Sequence, residues 1–201
     1  ASNESQAQSY RMQIQYRLDH GMLPKSIHYA VLPDPDGKRV GSGGATLNVL
    51  RYIHQDAGSF DDKRILVIHS GGDSKRVPQY SACGKLFSPV PRLLPNGRRS
   101  TLFDEFMISM CGVAARIRAG MLACSGDVLL LFNPLQIDFY GSGAAALSIK
   151  EPAEIGKNHG VYRVDEQGNV GGFLHKKTVD QLHELQAADE NGNVDIDTGA
   201  V

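Results

Sequence analysis

The sequence predicts an α/β protein with a layered sheet, because apolar runs of strand length alternate with segments of helical periodicity. Ile65–Ile68 and Met121–Cys124 are such apolar runs, and each is soon followed by glycine. Between the two runs, Leu102, Phe106 and Met110 recur at helical spacing. The alternation therefore predicts strands that are connected by helices.

The first third of the chain is predicted to hold two helices and one strand. Apolar residues recur every fourth position in the first helix, which Gly21 and Pro24 end. Ile27–Leu32 is predicted to be a strand. A glycine-rich turn then opens a second helix, Ala45–His54. The apolar positions of the first helix are Tyr10, Ile14, Leu18 and Met22.

The remaining elements follow from capping and alternation signals. Thr101 and Asp104 form a capping box for a helix that extends towards Ile117, and residues 93–99 are predicted to be an exposed loop. Strands are predicted at 144–149 and from 197 onwards, and a helix at 178–188. Asp165–Gly168 separates two further strands, 160–164 and 170–174, as in a hairpin.

Composition excludes several classes of protein. The chain has 201 residues, which suits one domain of ordinary size, and its net charge of −1 gives no global attraction for nucleic acid or an acidic membrane. No apolar run approaches the roughly 20 residues of a membrane helix. The N-terminal residues lack the features of a signal peptide.

The cysteines indicate a reducing environment. Cys83, Cys111 and Cys124 are odd in number and show no CxxC spacing, which argues against a disulfide framework and against a zinc site. We therefore expect a cytoplasmic protein. Cys83 has no histidine or acidic partner at a recognisable spacing, so we assign it no role as a nucleophile.

The segment that follows Ile65–Ile68 predicts a phosphate site. The apolar run ends at Gly71-Gly72, and the cations Arg76 and Lys85 follow. Glycine allows the backbone N–H groups to approach an anion closely, and the cations neutralise the remaining charge. We expect nucleotide contacts from the loop residues Gly71, Gly72, Asp73 and Ser74. A β-turn with surface charges is the alternative interpretation.

A second glycine cluster lies earlier in the chain. Gly41, Ser42, Gly43 and Gly44 lead directly into the second predicted helix, where the helix dipole and unpaired N–H groups favour an anion. We expect this turn to contact the nucleotide. Tight packing of the helix against the sheet is the alternative.

Asp127 follows the predicted strand Met121–Cys124 within the sequence Ser125-Gly126-Asp127. Carboxylates at the carboxyl end of a parallel strand face the ligand crevice, and Mg²⁺ that bridges triphosphate oxygens prefers such a ligand. The sequence therefore predicts Asp127 as a metal ligand and Mg²⁺ as the cofactor. A simple Asx-turn is the alternative.

The glycine loop and its cations match the pattern G-x-(G)-x-R-x-P…K of sugar nucleotidyltransferases. In that chemistry, an oxygen of a sugar 1-phosphate attacks the α-phosphorus of a nucleoside triphosphate and pyrophosphate leaves. Fixed cations are needed, and no covalent nucleophile is. Four later residues are candidate ligands of the sugar phosphate and the sugar hydroxyls, with a solvated lysine pair as the alternative for the first two: Lys176, Lys177, Asp197 and Thr198.

Two longer segments narrow this likeness. GSGGATLNVL at 41–50 and HSGGDSKRVP…GKLFSPV at 69–90 resemble the GDP-L-fucose pyrophosphorylase domain, and 125–134 and 159–177 support the resemblance. The resemblance covers the chain from about residue 8 to its end. It implies a three-layer, Rossmann-like sheet that is incomplete at the C-terminus. We therefore divide the chain into an N-terminal helical segment, 1–24, and a partial pyrophosphorylase domain, 25–201.

The resemblance also implies a reaction. GTP and L-fucose 1-phosphate would give GDP-L-fucose and pyrophosphate, with Arg76 and Lys85 as the phosphate cations and Asp127 as the Mg²⁺ ligand. A β-helix and a kinase domain would follow residue 201, and the fragment alone would be a poor enzyme. Two alternatives remain: the N-terminal part of an L-fucokinase whose phosphoryl-transfer site lies elsewhere, and a module that binds GTP without turnover.

Overall fold

The computed structural model describes residues 1–70, 72, 74, 77–80, 84–136 and 143–201. The chain divides into two compact units, Ala1–Tyr140 and Gly141–Val201, which we call unit 1 and unit 2. Both units combine helices with strands, so the predicted α/β class is confirmed at that level. Among the described residues, no helix has the length and hydropathy required to cross a bilayer.

Unit 1 is built around a pair of parallel strands. β1 and β4 pair in register from Arg64 opposite Gly120 to His69 opposite Ser125, so both strands end at the same edge. β2 and β3 form a separate antiparallel pair. The elements of unit 1 are α1 (Glu4–Asp19), α2 (Gly41–Ala57), β1 (Arg64–His69), β2 (Pro89–Leu93), β3 (Arg99–Thr101), α3 (Leu102–Ala114) and β4 (Gly120–Ser125).

α3 begins where the sequence predicts. The Thr101 hydroxyl accepts a hydrogen bond from the Asp104 backbone N–H, and the Asp104 carboxylate accepts one from the Thr101 backbone N–H at 2.9 Å. This capping box satisfies two N–H groups at the start of the helix. The apolar face of α3 then contributes four buried residues to the core of unit 1: Phe103, Phe106, Met110 and Val113.

Two sequence predictions in unit 1 differ from the structure. Ile27–Leu32 is not a strand, because its carbonyl groups bond elsewhere: the N-terminal ammonium donates to Leu32 O at 2.9 Å, and the Arg11 guanidinium donates to Val31 O at 2.9 Å. α2 is longer than predicted. Its glycines form the first turn of the helix, and the left-handed Gly58 ends it.

Unit 2 is an antiparallel sheet in the order β5, β8, β6, β7. The predicted hairpin of 160–164 with 170–174 is confirmed, and the last strand begins before the predicted residue 197. A cluster that includes Val161, Leu182, Val194 and Ile196 forms the core. The elements are β5 (Leu147–Pro152), α4 (Ala153–Gly156), β6 (Gly160–Val164), β7 (Val170–His175), α5 (Val179–Glu184) and β8 (Asn193–Ala200).

Candidate active site

The carboxyl ends of β1 and β4 bring two turns together in unit 1. The backbone N–H of Gly126 donates to His69 O at 2.8 Å, which continues the pairing beyond the last strand residues. A Cβ at Gly126 would lie 2.9 Å from His69 O and 3.0 Å from Ser70 Cβ, so a side chain has no room there. The turn that carries Asp127 therefore lies directly beside the start of the glycine loop.

Lys85 and Asp127 meet at this edge of the sheet. Lys85 Nζ lies 3.4 Å from Asp127 Oδ2, and the Ser125 hydroxyl donates to Asp127 Oδ1 at 2.9 Å. The two side chains are 30% and 51% exposed, respectively. An ion pair this open contributes about 0–1 kcal/mol to stability, so folding gains little from it. Both groups are accessible to a ligand.

Gly84 fixes the approach of Lys85 to the sheet. Its φ is +73°, and an added Cβ would collide with the Tyr10 hydroxyl. That hydroxyl also bonds Ser70 Oγ at 2.8 Å, at the end of β1. Only glycine satisfies both the left-handed backbone and the close approach of α1.

The first turn of α2 lies close to the same edge. The Thr46 hydroxyl lies 3.0 Å from Ser42 O and 2.9 Å from His69 Nε2, so it links the glycine turn to the last residue of β1. The N-cap residue of α2, Val40, makes no side-chain hydrogen bond to the helix. Burial, reinforced by the nearby N-terminal ammonium and opposed by Asp34, lowers the pKa of His69, which favours the neutral ring at this edge.

A cavity of about 1730 Å³ in unit 1 connects these residues. It is larger than the roughly 300–1,000 Å³ of most ligand sites, so a nucleotide would fill only part of it. Six of the predicted site residues of unit 1 that the structure describes line this cavity. They are Gly41, Ser42, Gly72, Ser74, Lys85 and Asp127.

Two predicted residues of the α2 turn, Gly43 and Gly44, lie beside this group in the same helix turn. Three others, Gly71, Asp73 and Arg76, lie outside the described residues. The predicted pairing of Arg76 with Lys85 therefore stays a prediction.

The carboxylate of Asp127 suits Mg²⁺ in one respect. The side chain is half exposed, and among the described residues Oδ2 has only the long contact with Lys85. No group of three or more His, Cys, Asp or Glu residues gathers anywhere in the described ranges, so a cage made of protein side chains alone is absent there. Mg²⁺ commonly binds through one or two carboxylates plus substrate phosphates, and a single Asp fits that mode.

The predicted sugar-phosphate residues lie in unit 2. Lys176 and Lys177 line a shallow groove of about 360 Å³ together with Lys157 and Thr178. Lys176 is left-handed, with φ +48°, and its N–H donates to His159 O at 2.9 Å, which ties the end of the hairpin together. Lys176 is exposed and Lys177 is half-buried in this groove.

Asp197 and Thr198 are bonded within the sheet of unit 2. Asp197 Oδ1 accepts hydrogen bonds of 2.8 Å from the Tyr162 hydroxyl and from the Gly199 N–H. Thr198 donates to Leu147 O at 2.6 Å. These bonds explain the residue types without a sugar, and contact with sugar hydroxyls stays a prediction. Burial and the Asp197 carboxylate raise the pKa of Tyr162, which stays neutral.

Sequence reasoning missed Tyr10, Ser70 and Ser125, which hold this arrangement together. Tyr10 counts only as an apolar position in the helical periodicity. A hydroxyl that bonds a residue far along the chain leaves no local signal. Ser125 precedes Gly126-Asp127 directly, and its bond to the carboxylate follows the side-chain pattern of turns.

Comparison with known proteins decides the family. The family model of the fucose pyrophosphorylase domain matches residues 57–201, which is most of the chain. The chain belongs to the fucose pyrophosphorylase family. The resemblance found in the sequence is thereby confirmed. The fucose pyrophosphorylase match includes Lys85, Asp127 and unit 2, and it begins after the glycine turn of α2.

Curated relatives extend the match to the N-terminus. The bifunctional fucokinase/GDP-fucose pyrophosphorylase of Arabidopsis thaliana is 30% identical over 100% of this chain and 22% of its own length. The fucose-1-phosphate guanylyltransferase of Mus musculus is 30% identical over 93% of this chain and 34% of its own length. The chain thus spans between about a fifth and about a third of the length of these fucose pyrophosphorylase relatives. No solved structure matches it.

A bacterial relative matches a shorter segment more closely. The L-fucokinase/L-fucose-1-P guanylyltransferase of Bacteroides fragilis is 42% identical over 66 residues, which is 29% of this chain and 7% of that protein. The mouse and bacterial proteins are named as guanylyltransferases of fucose 1-phosphate and the plant protein as a GDP-fucose pyrophosphorylase, and two of the three names also include fucokinase.

Proposed function

We propose that this chain carries the nucleotide site of a fucose-1-phosphate guanylyltransferase. GTP and L-fucose 1-phosphate would give GDP-L-fucose and pyrophosphate. The observation that carries the proposal is the contact of Lys85 with Asp127 beside two glycine turns at the end of β1 and β4. Family membership and the names of the relatives support it.

The chemistry follows from the charges. A phosphate oxygen of L-fucose 1-phosphate attacks the α-phosphorus of GTP, the bond from that phosphorus to the bridging oxygen breaks, and pyrophosphate leaves with both electrons. Negative charge grows on the bridging oxygen, and cations that are already in position stabilise it. Lys85 would supply a point charge near the α-phosphate, and Arg76 would hold the pyrophosphate oxygens with its planar fork.

The glycine turns would bind the rest of the nucleotide. Gly41–Gly44 opens α2 with unpaired N–H groups near His69, and Gly72 and Ser74 line the same cavity. Asp127 would be the protein ligand of Mg²⁺, which when bound neutralises triphosphate charge. In unit 2, Lys176 and Lys177 would bind the sugar phosphate, and Asp197 and Thr198 the sugar hydroxyls.

We also infer the wider architecture from this chemistry. A parallel strand pair whose carboxyl ends carry the glycine loop and the acidic residue suits a three-layer, Rossmann-like sheet. The bifunctional relatives support further domains beyond residue 201, a kinase domain among them.

The full-length protein tests the reaction directly. With GTP, Mg²⁺ and L-fucose 1-phosphate, we expect release of pyrophosphate and formation of GDP-L-fucose. ADP formed from ATP and fucose, without any pyrophosphate release, would favour the fucokinase alternative. Binding of GTP without either product would favour the nucleotide-sensing alternative.

A pair of matched variants tests the site. Lys85→Met removes the predicted cation and should lower kcat/KM by roughly 10²–10³-fold, as removal of an oxyanion donor does. Lys25→Met makes the same change at an exposed loop residue outside the cavity lining and should leave kcat/KM unchanged. Equal kcat/KM values for the two variants would refute the role of Lys85.

A further inference from the structure

Polar side chains fix the position of α1 within unit 1. Its buried residues are Gln6, Ala7, Tyr10 and Arg17, and the three larger ones are at most 5% exposed. Arg17 donates to the Asp104 carboxylate of α3 and to the Thr101 hydroxyl. Bonds of this kind have fixed directions, so they hold the helix at one position along its axis. Apolar contacts alone have no fixed direction and would allow the helix to slide along its axis.

The Tyr10 hydroxyl contacts both sides of the predicted phosphate loop. On one side it lies 2.8 Å from Ser70 Oγ and 3.3 Å from Ser70 O, immediately before the predicted phosphate loop. On the other side it fills the space where Gly84 would carry a side chain, immediately before Lys85. One atom therefore touches the residue that precedes each functional segment.

The ring of Tyr10 is itself fixed. It packs against Phe87 with centroids 5.2 Å apart, and Phe87 packs on Phe103 of α3 at 5.0 Å. Gly84 N–H also donates to Tyr80 O at 2.7 Å, which closes the turn ahead of Lys85. The position of the hydroxyl is thus set by ring packing as well as by its own hydrogen bonds.

We propose that Tyr10 is a positioning residue for nucleotide binding, which sets the spacing between the glycine turn after β1 and Lys85. This inference rests on the proposed function, because it assumes that these two segments hold the triphosphate. Tyr10 is 3% exposed, so it acts through Ser70 and Gly84 and not by contact with substrate. α1 is then a working part of the nucleotide site.

Tyr10→Phe in the full-length protein tests this spacing. The variant keeps the ring and its packing on Phe87, and loses only the hydroxyl. We expect KM for GTP to rise about three- to tenfold, the effect of one hydrogen bond, while KM for L-fucose 1-phosphate stays unchanged. Tyr16→Phe removes a hydroxyl from the exposed side of the same helix and should leave both constants unchanged.

Ser70→Ala tests the same contact from the other side. We expect Ser70→Ala also to raise KM for GTP. The double variant Tyr10→Phe with Ser70→Ala should have the same KM for GTP as Tyr10→Phe alone, because the two substitutions remove the same interaction. Additive losses in the double variant would contradict a shared contact.

The outcomes separate the two proposals. A wild-type protein that forms no GDP-L-fucose would overturn the proposed function and this inference with it. An active wild type with an unchanged KM for GTP in Tyr10→Phe would overturn the inference alone. A fall in kcat with both KM values unchanged would also overturn it, since a smaller folded fraction lowers kcat without altering KM.

Discussion

Arg17 of α1 holds Asp104 of α3 through two parallel hydrogen bonds. Arg17 Nε lies 2.7 Å from Asp104 Oδ1, and Arg17 Nη2 lies 3.0 Å from Oδ2. Both residues are buried, at 5% and 7% exposure. The guanidinium also stacks over the Phe87 ring at 4.9 Å. The N-terminal helix is thereby joined to the capping box of α3.

Removal of the arginine should strongly destabilise unit 1. Arg17→Ala leaves the Asp104 carboxylate buried without its partner, which costs about 3–5 kcal/mol. Chemical denaturation followed by circular dichroism would measure the free energy of unfolding. Arg118→Ala is the control, because Arg118 and its partner Asp62 are both largely exposed, and we expect a loss below about 1 kcal/mol there. Equal losses would contradict the contribution of the buried pair.

Gly84→Ala should impair both stability and activity. The substitution combines a left-handed backbone, which costs about 1 kcal/mol or more, with a collision against the Tyr10 hydroxyl. Gly97→Ala isolates the backbone cost, because Gly97 has φ +78° and no atom within 4 Å of an added Cβ. We expect Gly84→Ala alone to lower kcat/KM for GTP and to unfold at a lower temperature than Gly97→Ala. Equal kcat/KM values and equal unfolding temperatures for the two variants would show that α1 moves aside to make room for the added methyl group.

Stability should fall as acid protonates His69. Burial lowers the pKa of His69 below its ordinary value of 6.5, so the folded protein favours the neutral ring. Its contribution is complete above the ordinary pKa and is lost as the pH falls towards the lower folded value. The free energy of unfolding of wild type and His69→Gln, compared from about pH 8 to about pH 5, would measure it. Glutamine does not titrate, so its curve should be flatter; parallel curves would contradict the prediction.

The two described cysteines should differ in reactivity. Burial raises the pKa of Cys124 to about 11, and its side chain is fully enclosed, whereas Cys111 is exposed. We expect iodoacetamide to label Cys111 in the native protein and Cys124 only after denaturation. Mass spectrometry of tryptic peptides would locate the label. Rapid labelling of Cys124 under native conditions would mean that β4 opens easily.

Elements with strong local signals were predictable. The run Ile65–Ile68 became β1, and the Thr101–Asp104 capping box begins α3 as expected. The prediction that Ile27–Leu32 forms a strand was wrong, because a strand needs a partner strand that the local sequence does not specify. Its last two carbonyl groups bond to Arg11 and to the N-terminal ammonium. Neither of these long-range partners could be inferred from the residues of the segment itself.

Only part of the candidate site was predictable from the sequence. The rule that ligands bind at the carboxyl ends of parallel strands drew attention to Asp127, but the 3.4 Å contact of its carboxylate with Lys85 Nζ was not predicted. The support under them was not predictable. Tyr10 bonds Ser70 across 60 residues, and only the folded chain reveals that contact.

The polar contacts that fix α1 have a consequence for the order of folding. α1 precedes its partners in the chain, which lie 60 and 87 residues later, at Ser70 and Asp104. An isolated helix of 16 residues is marginal in water, and this one has few apolar groups to bury on its own. During synthesis, residues 1–19 must therefore wait until α3 has left the ribosome. α1 is therefore among the last elements of unit 1 to become ordered.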